Sequence, residues 1–247
     1  MLPPLSDPDR PPPRFLDAGE AALVVEFGAS VDPAINDRVL ALDDTLKARP
    51  VSGVRETVPT YRSLMIHYDP LALARADLVA GVEERLAAEA RATRRGRSWT
   101  LPCCYDPGLA EDIAEVAGLS GLSVERVSEL HAGASYRVYM YGFAPGFAYL
   151  GGLPDALAVS RRATPRPPHP QSALLIGGGL AAVASVPMPT GWYVIARTPE
   201  RLYADGRDPT FLVETGDTLG FEPVDAAAFA ALDARAASGE VVARSAA

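Results

Sequence analysis

A small α+β domain followed by a mainly β domain, a barrel or a sandwich, is what this sequence predicts. Strand-like and helix-like patterns alternate in the first half, up to an arginine-rich stretch around Gly96. From Tyr136 to Phe221 the signal is strand and turn, punctuated by Gly and Pro, which argues against a parallel sheet. The length, 247 residues, agrees with two domains, because a single core grows inefficiently at this size.

Met1 to Asp17 is rich in Pro, Asp and Arg, lacks the apolar core of a secretory signal, and reads as a disordered lead-in. Ala21 to Phe27 is a buried-strand pattern ended by Gly28. Asp32-Pro33 supplies a cap and a first-turn proline, and Ile35, Val39, Leu42 and Leu46 recur at helical spacing until Pro50. Val51 to Val58 and Ser63 to Tyr68, separated by Pro59-Thr60-Tyr61-Arg62, predict a paired ribbon. A second helix carries Leu71, Leu78, Val82 and Leu86 on one face and ends among Arg91, Arg94, Arg95 and Arg97, where the domain boundary is placed. Trp99 to Cys104 is strand-like; short helices follow through Ile113 and Val116 and through Val124, Val127 and Leu130, the second capped by Ser123. Tyr136, Val138 and Met140 alternate with Arg137 and Tyr139 as in a half-buried strand, and the chain closes in an Ala-rich, helix-compatible tail.

The formal charge of −8 disfavours a nucleic-acid partner, since affinity there comes from Lys and Arg neutralising phosphates. The uncharged stretch Pro170 to Ala196 holds Gly177, Gly178, Gly179, Pro187, Pro189 and Gly191, which suit strands and turns rather than a membrane span; a cytoplasmic protein is expected. Cys103 and Cys104 are adjacent, a spacing that fits neither a zinc knuckle nor a dithiol redox motif, so a buried, reduced pair is expected. No His/Cys set has metal-ligand spacing, and neither a GxxxxGK[ST] loop nor a GxSxG elbow is present.

Tyr141 to Pro154 concentrates glycines, prolines and aromatics and reads as a shaped loop. Either Phe143, Phe147 and Tyr149 form an apolar ligand wall with a phenolic hydroxyl, Pro145 and Gly146 shaping it, or these rings plug the barrel. Arg161-Arg162-Ala163-Thr164-Pro165-Arg166 is either a solvated turn or an anion site; within it Arg166 is the preferred ligand, because Pro165, Pro167 and Pro168 restrict its backbone. Thr190-Gly191-Trp192 through Arg197-Thr198-Pro199 reads as a turn, a strand and a basic end. His131, before Ala132-Gly133, is either a proton carrier or a cap on helix carbonyls. His67 and His169 belong to no metal set, and Gly216-Asp217 reads as a tight turn.

Tyr141 to Pro154, Thr164-Pro165-Arg166, Ile176-Gly177-Gly178, Gly191-Trp192, Arg197-Thr198-Pro199 and Gly216-Asp217, in this order, resemble the allophanate hydrolase subunit 1 family. That family includes the B-type subunit of 5-oxoprolinase and sporulation-kinase inhibitor proteins. Gly19-Glu20-Ala21-Ala22-Leu23, Gly53 to Tyr61, Ser63-Leu64 and Tyr68-Asp69-Pro70 extend the resemblance over about residues 15 to 224. It implies a lead-in over 1–14, an α+β domain over 15–96, a cyclophilin-like β-barrel over 97–226 and a tail over 227–247. It also implies a non-autonomous subunit that opens 5-oxoproline to glutamate. ATP and Mg would be shared with a subunit 2 barrel partner and a lactam-hydrolase subunit, and this chain alone would hold no cofactor. His131, Arg166 and Tyr149 are the catalytic candidates, and Phe143, Pro145, Gly146, Phe147, Arg162, Thr164, Trp192 and Arg197 the substrate-binding ones. A histidine-kinase inhibitor and a carboxyltransferase component of a urea or amide carboxylase are the alternatives. Departures from the family pattern fall at Ser172-Ala173, Ala184-Ser185 and Met188 to Thr190, where the substrate groove is expected.

Overall fold

The computed structural model describes residues 11–87 and 96–246 and divides them into two compact units, before and after residue 95/96. Arg91, Arg94 and Arg95 lie outside the described residues.

In the first unit, β1 (Arg14–Asp17), β2 (Ala22–Glu26), β3 (Val54–Pro59) and β4 (Ser63–Tyr68) form an antiparallel sheet in the order β1-β2-β4-β3. The expected lead-in is therefore shorter: Arg14 to Asp17 pairs with β2, and Arg14 reaches Glu26 across it. Helices α1 (Pro33–Ala48) and α2 (Arg75–Ala87) pack with the sheet. The Asp32 carboxylate accepts from the Ala34 and Ile35 amides, satisfying donors that open every helix. Val39, Leu42 and Leu46 of α1 meet Leu23, Val25, Leu64, Ile66, Leu78 and Val82 in one core. Leu71 lies outside α2 and is 98% exposed, because the helix starts four residues later than its apolar spacing predicts.

In the second unit, β5 (Ser98–Cys103) leads into α3 (Ile113–Ser120) and α4 (Val124–Ala132), the latter capped by the Ser123 hydroxyl on the Arg126 amide. Next come β6 (Tyr136–Gly142), β7 (Ala144–Gly151), β8 (Arg166–His169), β9 (Ala173–Gly177), β10 (Leu180–Val183), β11 (Met188–Thr190), β12 (Tyr193–Arg197) and β13 (Thr218–Pro223). The last elements are α5 (Ala226–Ala237) and β14 (Arg244–Ala246). An eight-stranded sheet runs β12-β9-β10-β7-β6-β13-β5-β14, while β8 and β11 pair separately.

Two expectations change here. Tyr141 to Pro154 is not a loop: β6 and β7 form a hairpin turned at Phe143, with register shifts that absorb its glycines. Nor does a continuous ladder close the sheet into a barrel among the described residues. The first half of β5 is occupied by β14, so only Cys104 reaches across to β12, exchanging two backbone hydrogen bonds with Arg197. One pair, β5 with β13, is parallel. Both cysteines are buried and unbonded to each other, and burial pushes the Cys103 thiol up to about 12.

Strand alternation gives this sheet two apolar faces. One carries Val138, Ala148, Leu150, Leu174, Ile176, Val183 and Ile195 into the main core with α3 and α4. The other carries Phe147, Ala173, Leu175, Ala182, Ala184, Trp192 and Val194, with Tyr149, Leu180 and Met188 packed partly over them.

Candidate functional site

The second apolar face collects the aromatic residues of the hairpin. Phe147 and Tyr149 are two apart on β7 and so project together, and Tyr149 lies opposite Ala182 of β10. Ring centroids step from Phe143 to Phe147 at 6.0 Å, to Tyr149 at 4.9 Å and to Trp192 at 6.1 Å, spacings at which aromatic pairs attract. Phe147 is 4% exposed, whereas Phe143 at the hairpin tip is 74% exposed with φ +70°. A large apolar side chain held in the left-handed region at the surface is an unfavourable arrangement, of the kind found at functional sites. Pro145 is exposed beside it; Gly146 is buried with φ +71°, and a Cβ there would collide with Tyr203.

At the Trp192 end lies Arg161. Its guanidinium carbon is 5.1 Å from the Trp192 ring centroid, and its chain runs over Gly177 and Gly178, where added Cβ atoms would fall 3.4 Å from Arg161 Cγ and Nε. Burial holds the Tyr149 hydroxyl above its ordinary range, opposed by the positive charge of Arg161. A cleft of about 370 Å³, lined by Leu119, Asp155, Val159, Ser160, Arg161 and Tyr193, opens beside this arginine.

The neighbouring arginines are spoken for. Arg162 pairs with Asp112 at 3.0 Å and with Glu115, and lies 4.4 Å over the Tyr193 ring. Arg166 pairs with Asp112 at 2.6 Å and with Glu111. The preferred anion ligand is therefore neutralised from within, by acidic residues on the segment that leads into α3. Sequence spacing could not show this, because Arg166 and Asp112 are 54 positions apart. Thr164 is exposed on the turn between these arginines.

His131 is 1% exposed, stacked 4.9 Å from Phe221, with the Tyr105 hydroxyl 2.6 Å from its Nδ1. Burial lowers its pKa to about 3, which keeps the ring neutral. It packs with the main core and is not brought to the aromatic face, so proton exchange with a ligand there does not fit its position. Arg197 shares the aromatic face through its pairing with Ala173; it is partly buried, its guanidinium 5.8 Å over Phe229 of α5, and desolvation lowers its pKa. Asp217 is a buried hub that accepts from the Arg97 amide at 2.8 Å, the Trp99 indole at 3.1 Å and the Glu214 amide at 2.9 Å. The structure thus unites Phe143, Phe147, Tyr149 and Trp192, adds Arg161, and sets Arg162, Arg166 and His131 apart. Arg161 was legible only as one member of an arginine pair.

Among the described residues, no three His, Cys, Asp or Glu side chains converge as a metal centre, and Glu111, Asp112 and Glu115 are held by arginines. No helix among the described residues is long and apolar enough to cross a membrane.

Comparison with known proteins agrees over most of the chain. The B-type subunit of 5-oxoprolinase from Bacillus subtilis (strain 168) is 33% identical, over 82% of this chain and 89% of that protein. Its counterpart of the same name from Escherichia coli O157:H7 is 34% identical, over 83% of this chain and 93% of that protein. The crystal structure of TTHA0988 superposes with a TM-score of 0.73 at 33% identity; the match covers 82% of this chain and only 39% of that longer one. The family model described as carboxyltransferase domain, subdomain C and D, matches residues 13–213, and the chain belongs to that family.

Proposed function

We propose that this protein is the B-type subunit of an ATP-dependent 5-oxoprolinase, a component that works only in complex. A subunit 2 partner and a lactam-hydrolase subunit would complete the assembly in the cytoplasm. Water adds to the lactam carbonyl carbon, the ring C–N bond breaks, and the former amide becomes the carboxylate and ammonium of glutamate. In this reading ATP and magnesium are shared with the partner subunits.

The observation that carries the reading is the aromatic row from Phe143 to Trp192, on a chain about a third identical to proteins named as the B-type subunit of 5-oxoprolinase. A five-membered lactam is flat and weakly polar on its faces, which suits aromatic walls with a few polar groups at their ends. Tyr149, partly exposed between Phe147 and Trp192, would orient the lactam in this reading.

The test combines this chain with the two partner subunits, ATP, magnesium and 5-oxoproline and follows glutamate. Strict dependence of glutamate formation on this chain is expected. A well-formed complex that makes none would overturn the assignment and favour the carboxyltransferase reading; a chain that joins no such complex would favour the kinase-inhibitor reading.

A further inference from the structure

Three guanidinium groups fall within six residues, and the fold treats them unequally. Arg162 and Arg166 each answer two carboxylates. Arg161 is exposed and, among the described residues, makes no ion pair; Asp155 lines the same cleft outside ion-pair distance. Its position is nevertheless defined. Trp192 lies against its guanidinium, and Gly177 and Gly178 leave the space its aliphatic chain crosses. An added Cβ at either glycine would stand in contact with Arg161 at 3.4 Å, and Gly178 also needs its φ of +64°.

A cation packed on an aromatic ring and over glycine backbone has already lost much of its side-chain freedom, so a ligand need not immobilise it. Its N–H groups, arranged in a planar fork, match the two oxygens of a carboxylate. Tyr149, 6.1 Å from Trp192 and within the electrostatic reach of Arg161, sets the aromatic row beside that charge.

We infer that Arg161, stacked on Trp192, binds the substrate carboxylate in a bidentate pair and so selects a lactam bearing a carboxylate over a bare lactam. This rests on the 5-oxoprolinase reading and names the group that gives it specificity. It also explains why two further arginines so close by are neutralised by Glu111, Asp112 and Glu115: a single free guanidinium fixes one orientation of the ring.

The test uses the assembled complex with Arg161→Gln and Arg161→Lys, measuring kcat and KM for 5-oxoproline. Inhibition by 2-pyrrolidone, the same lactam without its carboxylate, is measured alongside. Loss of a charge-assisted pair raises KM about 10- to 100-fold in Arg161→Gln, with kcat little changed. Arg161→Lys falls between, and 2-pyrrolidone inhibits all three complexes alike. An active wild-type complex with unchanged KM in Arg161→Gln would overturn this assignment and leave the 5-oxoprolinase reading standing. A wild-type complex that produces no glutamate would overturn both.

If Arg161→Gln fails to assemble, the emission of Trp192 decides, read as the difference between the wild-type complex and one carrying Trp192→Phe. A shift with 5-oxoproline and none with 2-pyrrolidone at equal concentration supports the assignment. Equal responses, or none, overturn it.

Discussion

Asp112 makes four contacts, three through its carboxylate and one through its own amide. Its carboxylate accepts from Arg162 at 3.0 Å, from Arg166 at 2.6 Å and from the Val194 amide at 2.7 Å, while its own amide donates to Val194 at 2.9 Å. Asp112→Ala leaves Arg162 only Glu115 and Arg166 only Glu111 and strips the Val194 amide of its acceptor, and we expect a loss of about 2–4 kcal/mol in denaturant melts. Arg161→Gln, which breaks no ion pair among the described residues, should move the same melts by less than about 0.5 kcal/mol. His131 gives a second prediction at this scale. Its folded pKa of about 3 lies below the value of about 6.5 for the unfolded chain, so the unfolded state takes up the proton first. Stability from this group is complete above pH 6.5 and declines as pH falls toward 3; between pH 7 and pH 5 the decline is about 2 kcal/mol. His131→Gln removes that part of the pH dependence, which paired urea melts at the two pH values would reveal. An identical pH slope in the variant would refute it.

At the scale of elements, the β6–β7 hairpin combines a strained tip with a crowded base. Phe143→Asn places a residue that tolerates positive φ at the tip, and stability should rise by about 0.5–1 kcal/mol. Loss of the exposed ring at one end of the aromatic row should lower turnover of 5-oxoproline by the complex. Higher stability with full activity would mean that the ring serves nothing at the site. The hairpin is also where pattern reading met its limit. Glycine and proline density in Tyr141 to Pro154 signals irregular backbone, yet register shifts at Val138/Met140 and Tyr141/Gly142 let the strands pair around those residues. The helices were legible because Asp32, Ser123 and the spacing of Val39, Leu42 and Leu46 are local signals. The Arg162 and Arg166 cluster was not, since its acidic half lies about 50 positions upstream, and nothing local distinguishes a neutralised arginine from a free one. Burial of His131 was hidden for the same reason: Tyr105, Tyr136 and Phe221 reach it from three separate segments.

For the larger unit as a whole, the C-terminal segment is a structural strap rather than an appendage. Glu200, 0% exposed, accepts from the Val242 and Ala243 amides at 2.7 Å each and from Arg207 at 3.1 Å. That anchor delivers β14 to the edge of β5. Ending the chain at Ser238 removes both amide donors from a buried carboxylate and bares Ser98 to Thr100. The shortened protein should unfold at lower denaturant and self-associate with rising concentration, as measured by light scattering. A monomer of unchanged stability would contradict this account of the tail.

The opposite margin of that sheet is closed as well, by different means. Asp112 occupies both backbone groups of Val194, and Cys104 occupies those of Arg197, so β12 offers no free run of donors and acceptors along those positions. With β14, only three residues long, at the other margin, the sheet has little backbone to lend to another chain. Along this sheet, a contact with another chain would therefore run through side chains rather than through an added strand. Such a contact tolerates gradual change in its residues, whereas a shared strand would fix register and partner at once.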